Sequence, residues 1–273
     1  MIIMKKGMFI VVVVLLLIAF GVSAFMVGSY LLEGKEQEDR YNELSQIAAN
    51  STRETTAAVE TTQSAETTQA QETTQSTEPT DPTMITGYAA IYEQNPDTVG
   101  WLKIEGTKLD YPVMQTPNDR DYYLYRDFDK KDSRRGSLYA WADASITEPS
   151  DNITIFGHNM ADGSMFACLN NYTDKAYWEE NSLIFFDTLN EYHTYKIYAV
   201  FKTSANIGEG YSYHQFVNAA TEDEFNTYVK TVKDLAFYDT GITPVYGDKL
   251  IALSTCEYTL DNGRLVVCAV RIT

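Results

Sequence analysis

The chain contains three cysteines and three histidines, and one residue of each kind stands at the end of an apolar run. Lys249-Leu-Ile-Ala-Leu-Ser254-Thr255-Cys256-Glu257-Tyr258 closes an apolar stretch on a cysteine flanked by Ser, Thr, Glu and Tyr. Cys168, in Met165-Phe-Ala-Cys-Leu, and Cys268, in Val-Val-Cys-Ala-Val, have apolar neighbours and fit buried small hydrophobes. After Cys256 the loop carries the turn signal Asp261-Asn262-Gly263, and a second apolar strand starts at Arg264. Such a hairpin brings Arg264 opposite Cys256. Arg271 lies an odd number of residues further on, which turns it to the other face of the strand. Arg264, not Arg271, can therefore share a site with the thiol. A guanidinium there favours the thiolate, the reactive form of cysteine, and can hold a developing oxyanion.

Asn152-Ile-Thr-Ile-Phe-Gly157-His158-Asn159-Met160 ends another strand at Gly157 and puts His158 where the chain leaves the sheet. An imidazole titrates near neutrality, so beside a cysteine it can carry the proton that nucleophilic chemistry must move. Taken alone, His158 fits a hydrogen-bonded structural histidine equally well; a free cysteine is more commonly a buried small hydrophobe, but the polar neighbours of Cys256 do not fit that reading. His193, in register with Tyr195, Ile197 and Ala199, and His214, in the loop-like Tyr211-Ser-Tyr-His-Gln, are expected to be structural or solvent-facing. There is no CxxC, HExxH or carboxylate cluster, so no metal is expected. With 38 acidic against 21 basic residues the net charge is −17, which argues against a nucleic-acid partner. Hydrophobic residues at 44% exclude full disorder.

These side chains have to be held by a folded part, and residues 84–273 supply it. Runs over 99–104, 109–114, 136–139, 153–156, 192–201, 249–255 and 265–272 are rich in strand formers and bounded by Gly, Pro, Asn or Asp. Helical pieces fit 85–94, 164–171, 174–178 and 222–235, the last with Phe225, Val229, Val232 and Leu235 on one face. The pattern predicts a mostly β domain, barrel or sandwich, with inserted helices.

Ahead of it, residues 7–32 carry no charge and as a helix would span about 39 Å, enough to cross a bilayer. Lys5 and Lys6 precede this run and acidic residues follow it, so the positive-inside rule puts residues 1–6 in the cytoplasm and the rest outside. A cleaved leader ending near Val22-Ser-Ala24 is the rival reading. Residues 33–83 are expected to form a disordered stalk. From Glu54 a six-residue repeat reads ETTAAV, ETTQSA, ETTQAQ, ETTQST and EPTDPT, with no apolar stripe. The stalk would act as a spacer averaging about 40 Å end to end, or be low-complexity sequence without a role; only residues 41–50 hint at a helical extension.

Leu253-Ser-Thr-Cys256-Glu-Tyr, with Arg264 after a short loop and Gly157-His158-Asn-Met upstream, resembles the signature of the sortases, membrane-anchored cysteine transpeptidases of Gram-positive bacteria. The LSTCEY form, the helix-bearing insertion over 206–243, the N-terminal helix and the run Asn95-Pro-Asp-Thr-Val-Gly-Trp-Leu-Lys-Ile followed by Tyr111-Pro-Val-Met-Gln resemble class B in particular. The resemblance covers residues 84–273. It implies a sortase-like eight-stranded β-barrel with inserted and N-terminal helices behind a transmembrane helix, and a two-step acyl transfer that needs no cofactor. In that reaction Cys256 is the nucleophile, His158 the proton carrier, and Arg264 the group that positions substrate or holds the oxyanion. Ser254, Thr255, Glu257 and Tyr258 would bind the substrate, with the Glu257 N–H a second oxyanion donor, although parity turns either Ser254 or Thr255 toward the core. The partners implied are exported proteins with a C-terminal sorting motif, and an amine on a peptidoglycan precursor or a pilin. The enzyme would be a single-pass protein of the cell membrane, its domain on the outer face. A papain-like peptidase would carry its cysteine before its histidine, and an L,D-transpeptidase a Gly-Cys-x-Arg run. A non-catalytic extracellular binding domain would use the barrel alone.

Overall fold

A computed structural model describes residues 6–49, 84–206 and 208–273; residues 1–5 of the expected cytoplasmic tail and the repeat part of the expected stalk, 50–83, lie outside the described residues. Among the described residues there are eight strands and four α-helices. Helix α1 runs Lys6–Ala49 and α2 Thr86–Gln94. Strands β1 (Thr98–Lys103), β2 (Asp110–Met114), β3 (Leu138–Ala140) and β4 (Asn152–Phe156) follow. After them come α3 (Lys175–Glu180), β5 (Leu183–Thr188), β6 (Thr194–Ser204), α4 (Glu222–Leu235), β7 (Leu250–Glu257) and β8 (Gly263–Arg271). The strands close into one barrel in the order β1-β2-β3-β4-β7-β8-β6-β5, with β2–β3 and β4–β7 parallel and the other pairs antiparallel. Of the barrel and the sandwich, the barrel is the architecture found.

Strands β7 and β8 read as continuous apolar runs because both of their faces are covered. Ile251, Leu253, Leu265, Val267 and Ala269 belong to the core inside the barrel. Leu250, Ala252, Val266, Cys268 and Val270 belong to a second core outside it, under α4. Helix α4 is fixed by its caps: Thr221 Oγ1 accepts the Glu224 N–H, three acidic residues fill the first turn, and Lys233 lies in the last. Its buried residues, Phe225, Tyr228, Val229 and Val232, close the outer core.

Three expectations change. Residues 183–188 form a strand that was not foreseen, because Leu-Ile-Phe-Phe is a short apolar run without alternation, and such runs do not separate strand from helix. The stretch expected as helix over 164–171 is instead a 3-10 segment over Ala167–Thr173.

The third change concerns the stalk. The apolar part of α1 is exposed and is long and apolar enough to cross a membrane. The helix does not stop at Leu32, however, but continues to Ala49. Glu, Gln, Lys, Ala and Leu dominate residues 35–49, with no Gly or Pro to end the helix. Gln37, Tyr41, Leu44 and Ala48 recur on one face and are buried against the barrel. Gln37 Nε2 donates to the Gly136 carbonyl (2.8 Å), Tyr41 Oη pairs with Ser137 Oγ (3.1 Å), and Ser45 Oγ donates to Asp110 Oδ2 (2.9 Å). Burial pushes the Tyr41 phenol up to about 12. Residues 33–49 are thus part of the folded body, not of a stalk. Leu44→Ala should lower stability by about 2–5 kcal/mol, measured by denaturant unfolding of the full chain in detergent micelles; an unchanged midpoint would mean that α1 does not pack on the barrel.

Candidate active site

Strand β7 lies between β4, parallel to it, and β8, antiparallel. Cys256 pairs with Arg264 across β7–β8. By alternation Ser254, Cys256 and Arg264 share the outer face with Ala252 and Val266, while Thr255 takes the barrel side with Leu253. Arg271 sits at the far end of β8, opposite Tyr195.

His158 comes to the same end through β4. Phe156 is in register with Ser254, and the pairing is carried one residue further by the Gly157 N–H on the Ser254 carbonyl (3.1 Å). The Thr255 hydroxyl donates to the Gly157 carbonyl (2.8 Å). Position 157 has to be glycine, since a Cβ there would stand 2.5 Å from Leu138 and 2.7 Å from Phe166. The next residue, His158, leaves the sheet into the cleft that Cys256 also lines, and Asn159 Nδ2 donates to the Cys256 carbonyl (3.0 Å). His158 Nε2 lies 2.8 Å from the Leu124 carbonyl. That contact assigns the proton of the neutral ring to Nε2 and leaves Nδ1 as the nitrogen able to take another.

The Arg264 guanidinium rests on its own turn. Nη1 donates to the Gly263 carbonyl (2.9 Å) and to Asn262 Oδ1 (3.1 Å), with Asn262 in the left-handed region at φ 47°. Cys256, His158 and Arg264 line one cleft of about 700 Å³.

The four further residues expected to bind substrate divide. Ser254 and Thr255 border this cleft and are buried, Ser254 with its Oγ 2.5 Å from Tyr213 Oη. Glu257 and Tyr258 are not among the lining residues. Glu257 is buried on Lys202 Nζ (2.8 Å) and accepts the N–H groups of Thr259 (2.9 Å) and Leu260 (3.1 Å), so its side chain builds the β7–β8 turn. Burial opposes its charge, but the bonds from Lys202 and Thr259 outweigh this and hold the carboxyl at about 2. Tyr258 is 76% exposed, and its hydroxyl donates to the Asn159 carbonyl (3.3 Å).

His214, expected to be structural or solvent-facing, lines the cleft. Its ring meets Trp141 edge-on with centroids 5.1 Å apart. Burial, followed by the charge of Arg264, lowers its pKa and favours the neutral ring. Asp121, Tyr139, Trp141 and Tyr213 also line the cleft, and none was singled out from the sequence. They come from separate loops and strands, and only the aromatic density around Tyr211-Ser-Tyr-His offered a signal. His193 is buried beside Glu191, outside the cleft lining. Cys168 and Cys268 are free thiols pushed up by burial, to about 11 and about 12. A thiol, an imidazole and a guanidinium on one aromatic cleft provide a nucleophile, a proton carrier and an anion partner, the set that covalent acyl transfer requires.

The family model "Sortase domain" matches residues 102–272. The chain is 32% identical to Sortase B of Listeria monocytogenes over 175 residues, covering 63% of this chain and 69% of that protein. It is 28% identical to Sortase B of Staphylococcus aureus over 186 residues, covering 67% and 73%. Its fold is similar to that of a Staphylococcus aureus sortase B–substrate complex, with a TM-score of 0.71 at 22% identity over 89% of this chain and 99% of that one. A crystal structure of sortase B from B. anthracis gives 0.69 at 25% identity, over 88% and 97%.

The depressed Glu257 pKa has a consequence for stability. Ionisation of Glu257 stabilises the fold above the ordinary glutamate value of 4.5, and this contribution is lost as the pH falls toward about 2. In Glu257→Gln, thermal stability should be lower at neutral pH and should fall less steeply between pH 4.5 and 3 than in the wild type. Parallel melting curves for the two proteins over that interval would refute the assignment.

Proposed function

The chain belongs to the class B sortases and is a cysteine transpeptidase, and on that premise we propose that it cleaves a C-terminal sorting motif of exported proteins after Thr and joins the new end to an amine. The observation that carries this reading is the β7–β8 register, which sets Cys256 against Arg264 with His158 delivered to the same cleft by β4.

The steps follow from the residue types. The Cys256 thiolate attacks the Thr carbonyl carbon. As the tetrahedral centre collapses, the C–N bond breaks, a thioester C–S bond remains, and the imidazolium of His158 gives its proton to the leaving amine. In the second half an incoming amine loses a proton to His158, attacks the thioester and expels the thiolate. The thioester keeps the acyl group activated between the halves, so no nucleotide enters. Arg264, held by the Asn262–Gly263 turn, stabilises the oxyanion or orients the motif, with the backbone N–H of Glu257 as a second donor. Ser254, on the outer face of β7, contributes to the motif pocket, and Thr255 backs it from the barrel side through its bond to the Gly157 carbonyl. The acceptor is a peptidoglycan-precursor amine, or a pilin lysine in the second form of the same reaction; without an amine, water attacks the thioester, releasing the acyl group as a carboxylate and regenerating the thiol. We place the N-terminus in the cytoplasm, from Lys5 and Lys6, and the barrel at the outer face, where exported substrates and lipid-linked acceptors emerge.

The test uses the full chain in detergent micelles with peptides carrying Thr-Gly, Thr-Asn, Thr-Ser or Thr-Ala junctions. Mass spectrometry should find a thioacyl adduct on Cys256 from one junction, and a new amide once an amine is added. Cys256→Ala should abolish both, and His158→Gln should lower kcat by about 10²–10⁴-fold. If no peptide gives an adduct while a small thiol reagent still labels Cys256, the proposed reaction is wrong. A Cys256→Ala protein that still cleaves would remove the nucleophile assignment.

A further inference from the structure

His158 is held from two sides, and both supports lead back to one short segment under α1. On one side its imidazole bonds the Leu124 carbonyl. The turn that presents this carbonyl is backed by residue 137, whose N–H donates to the Tyr123 carbonyl (2.9 Å) while its hydroxyl meets Tyr41 of α1. On the other side His158 opens a tight excursion, closed where the Phe166 N–H meets the His158 carbonyl (2.9 Å). The tip of that excursion is Asp162. Its carboxylate accepts the Ser164 N–H (3.1 Å) and hydroxyl (2.7 Å), and forms an ion pair with Arg135.

Arg135 is the member with no freedom. Its side chain is 6% exposed, against 41% for Asp162. Nη1 also reaches Ser164 Oγ (3.0 Å), while Nε has no hydrogen-bond partner among the described residues. The guanidinium lies 5.3 Å from the Tyr30 ring centroid, and α1 covers it so closely that a Cβ at Gly34 would stand 2.1 Å from Nη2. The next residue, Gly136, gives its carbonyl to Gln37 one turn further along α1. The helix that leaves the apolar run therefore seals a buried cation whose counter-charge is the loop bearing His158.

We infer that Arg135, clamped between the Tyr30–Gly34 turn of α1 and Asp162, is a positioning residue for His158, so that docking of the juxtamembrane helix sets the proton-carrying half of the site. It touches neither substrate nor Cys256; it acts through Asp162 on the 158–166 excursion. This deepens the proposed reaction and rests on that reading.

The experiment compares full-length Arg135→Met, Arg135→Lys, Gly34→Val and Asp162→Asn in detergent micelles, using the peptide the wild type accepts. Arg135→Met removes the charge, Gly34→Val displaces the guanidinium from the helix side while leaving Arg135 in place, and Asp162→Asn removes the counter-charge at a half-exposed position. Each is expected to lower kcat about tenfold or more with KM nearly unchanged, and to displace one limb of the pH profile of kcat/KM, as loss of an oriented acid–base group does. Arg135→Lys should recover most of the loss. Ile184→Val, in the core on β5, is the control: it lowers Tm and leaves kcat and the pH profile alone. Wild-type kcat and pH profile in Gly34→Val and Asp162→Asn, or losses no larger than Ile184→Val gives at equal Tm, would overturn the positioning role. A wild-type protein that forms no thioacyl adduct would instead overturn the reaction on which it rests.

Discussion

The register of β7 between β4 and β8 is the constraint on which the site depends. Side chains alternate along a strand, so a slip of one residue would turn Cys256 into the barrel and put Thr255 in its place on the outer face, opposite Arg264. Two ladders prevent this. On the β8 side, eight residue pairs from Leu250 to Glu257 fix Cys256 against Arg264; on the β4 side, five pairs from Asn152 to Phe156 fix where the chain leaves for His158. Each ladder is weighted by apolar residues on both faces, the barrel interior on one and the α4 layer on the other. A shift in either would expel a row of buried side chains, and that cost is what holds three functional groups from distant parts of the sequence together.

The electrostatics of the cleft run against those of the whole protein. The chain is strongly acidic, yet the wall around Cys256 is aromatic and largely uncharged. Tyr213 is pushed up to about 12 and Tyr139 is raised further, in both cases chiefly by burial, so these phenols stay protonated. His214 is driven toward the neutral ring by burial and by Arg264. Against such a background a single guanidinium acts with less screening than it would in water. Its effect falls on whatever negative charge arises beside it, on sulfur or on a carbonyl oxygen.

Cys256, His158 and Arg264 were legible because each sits where an apolar strand pattern breaks off into polar residues, and a strand end is a place that periodicity can locate. Helix α4 was legible for a similar reason: caps, charge and apolar face agree over 222–235. The spread of the cleft wall was not, since His214, Trp141 and Asp121 arrive on irregular segments whose paths depend on tertiary contacts. Glu257 and Tyr258, expected beside the nucleophile, lie outside the cleft lining. Adjacency to a nucleophile in sequence says little about adjacency to the cleft once a strand turns, and one of them is spent on the turn while the other points to solvent. The continuation of α1 to Ala49 was half visible, since Gln37, Tyr41, Leu44 and Ala48 form a helical stripe, but the charge-rich surroundings matched a stalk just as well.

That continuation changes what the hexapeptide repeats can do in evolution. Ala48 is packed into the barrel core, and Ile85 is tied to it again through the Leu189 carbonyl (2.8 Å). Residues 50–83 therefore leave one body and return to the same body. A spacer between two bodies is under selection for length, because each added unit moves one relative to the other. A segment with both ends on one body is not: an extra six residues alter only the closure entropy, by about a tenth of a kcal/mol on a logarithmic length law. Gain or loss of whole ETTQ-type units would leave the placement of the barrel on α1 unchanged, because that placement is set by the contacts of Gln37, Tyr41, Leu44 and Ala48 and not by the length of the segment between Ala49 and the barrel domain.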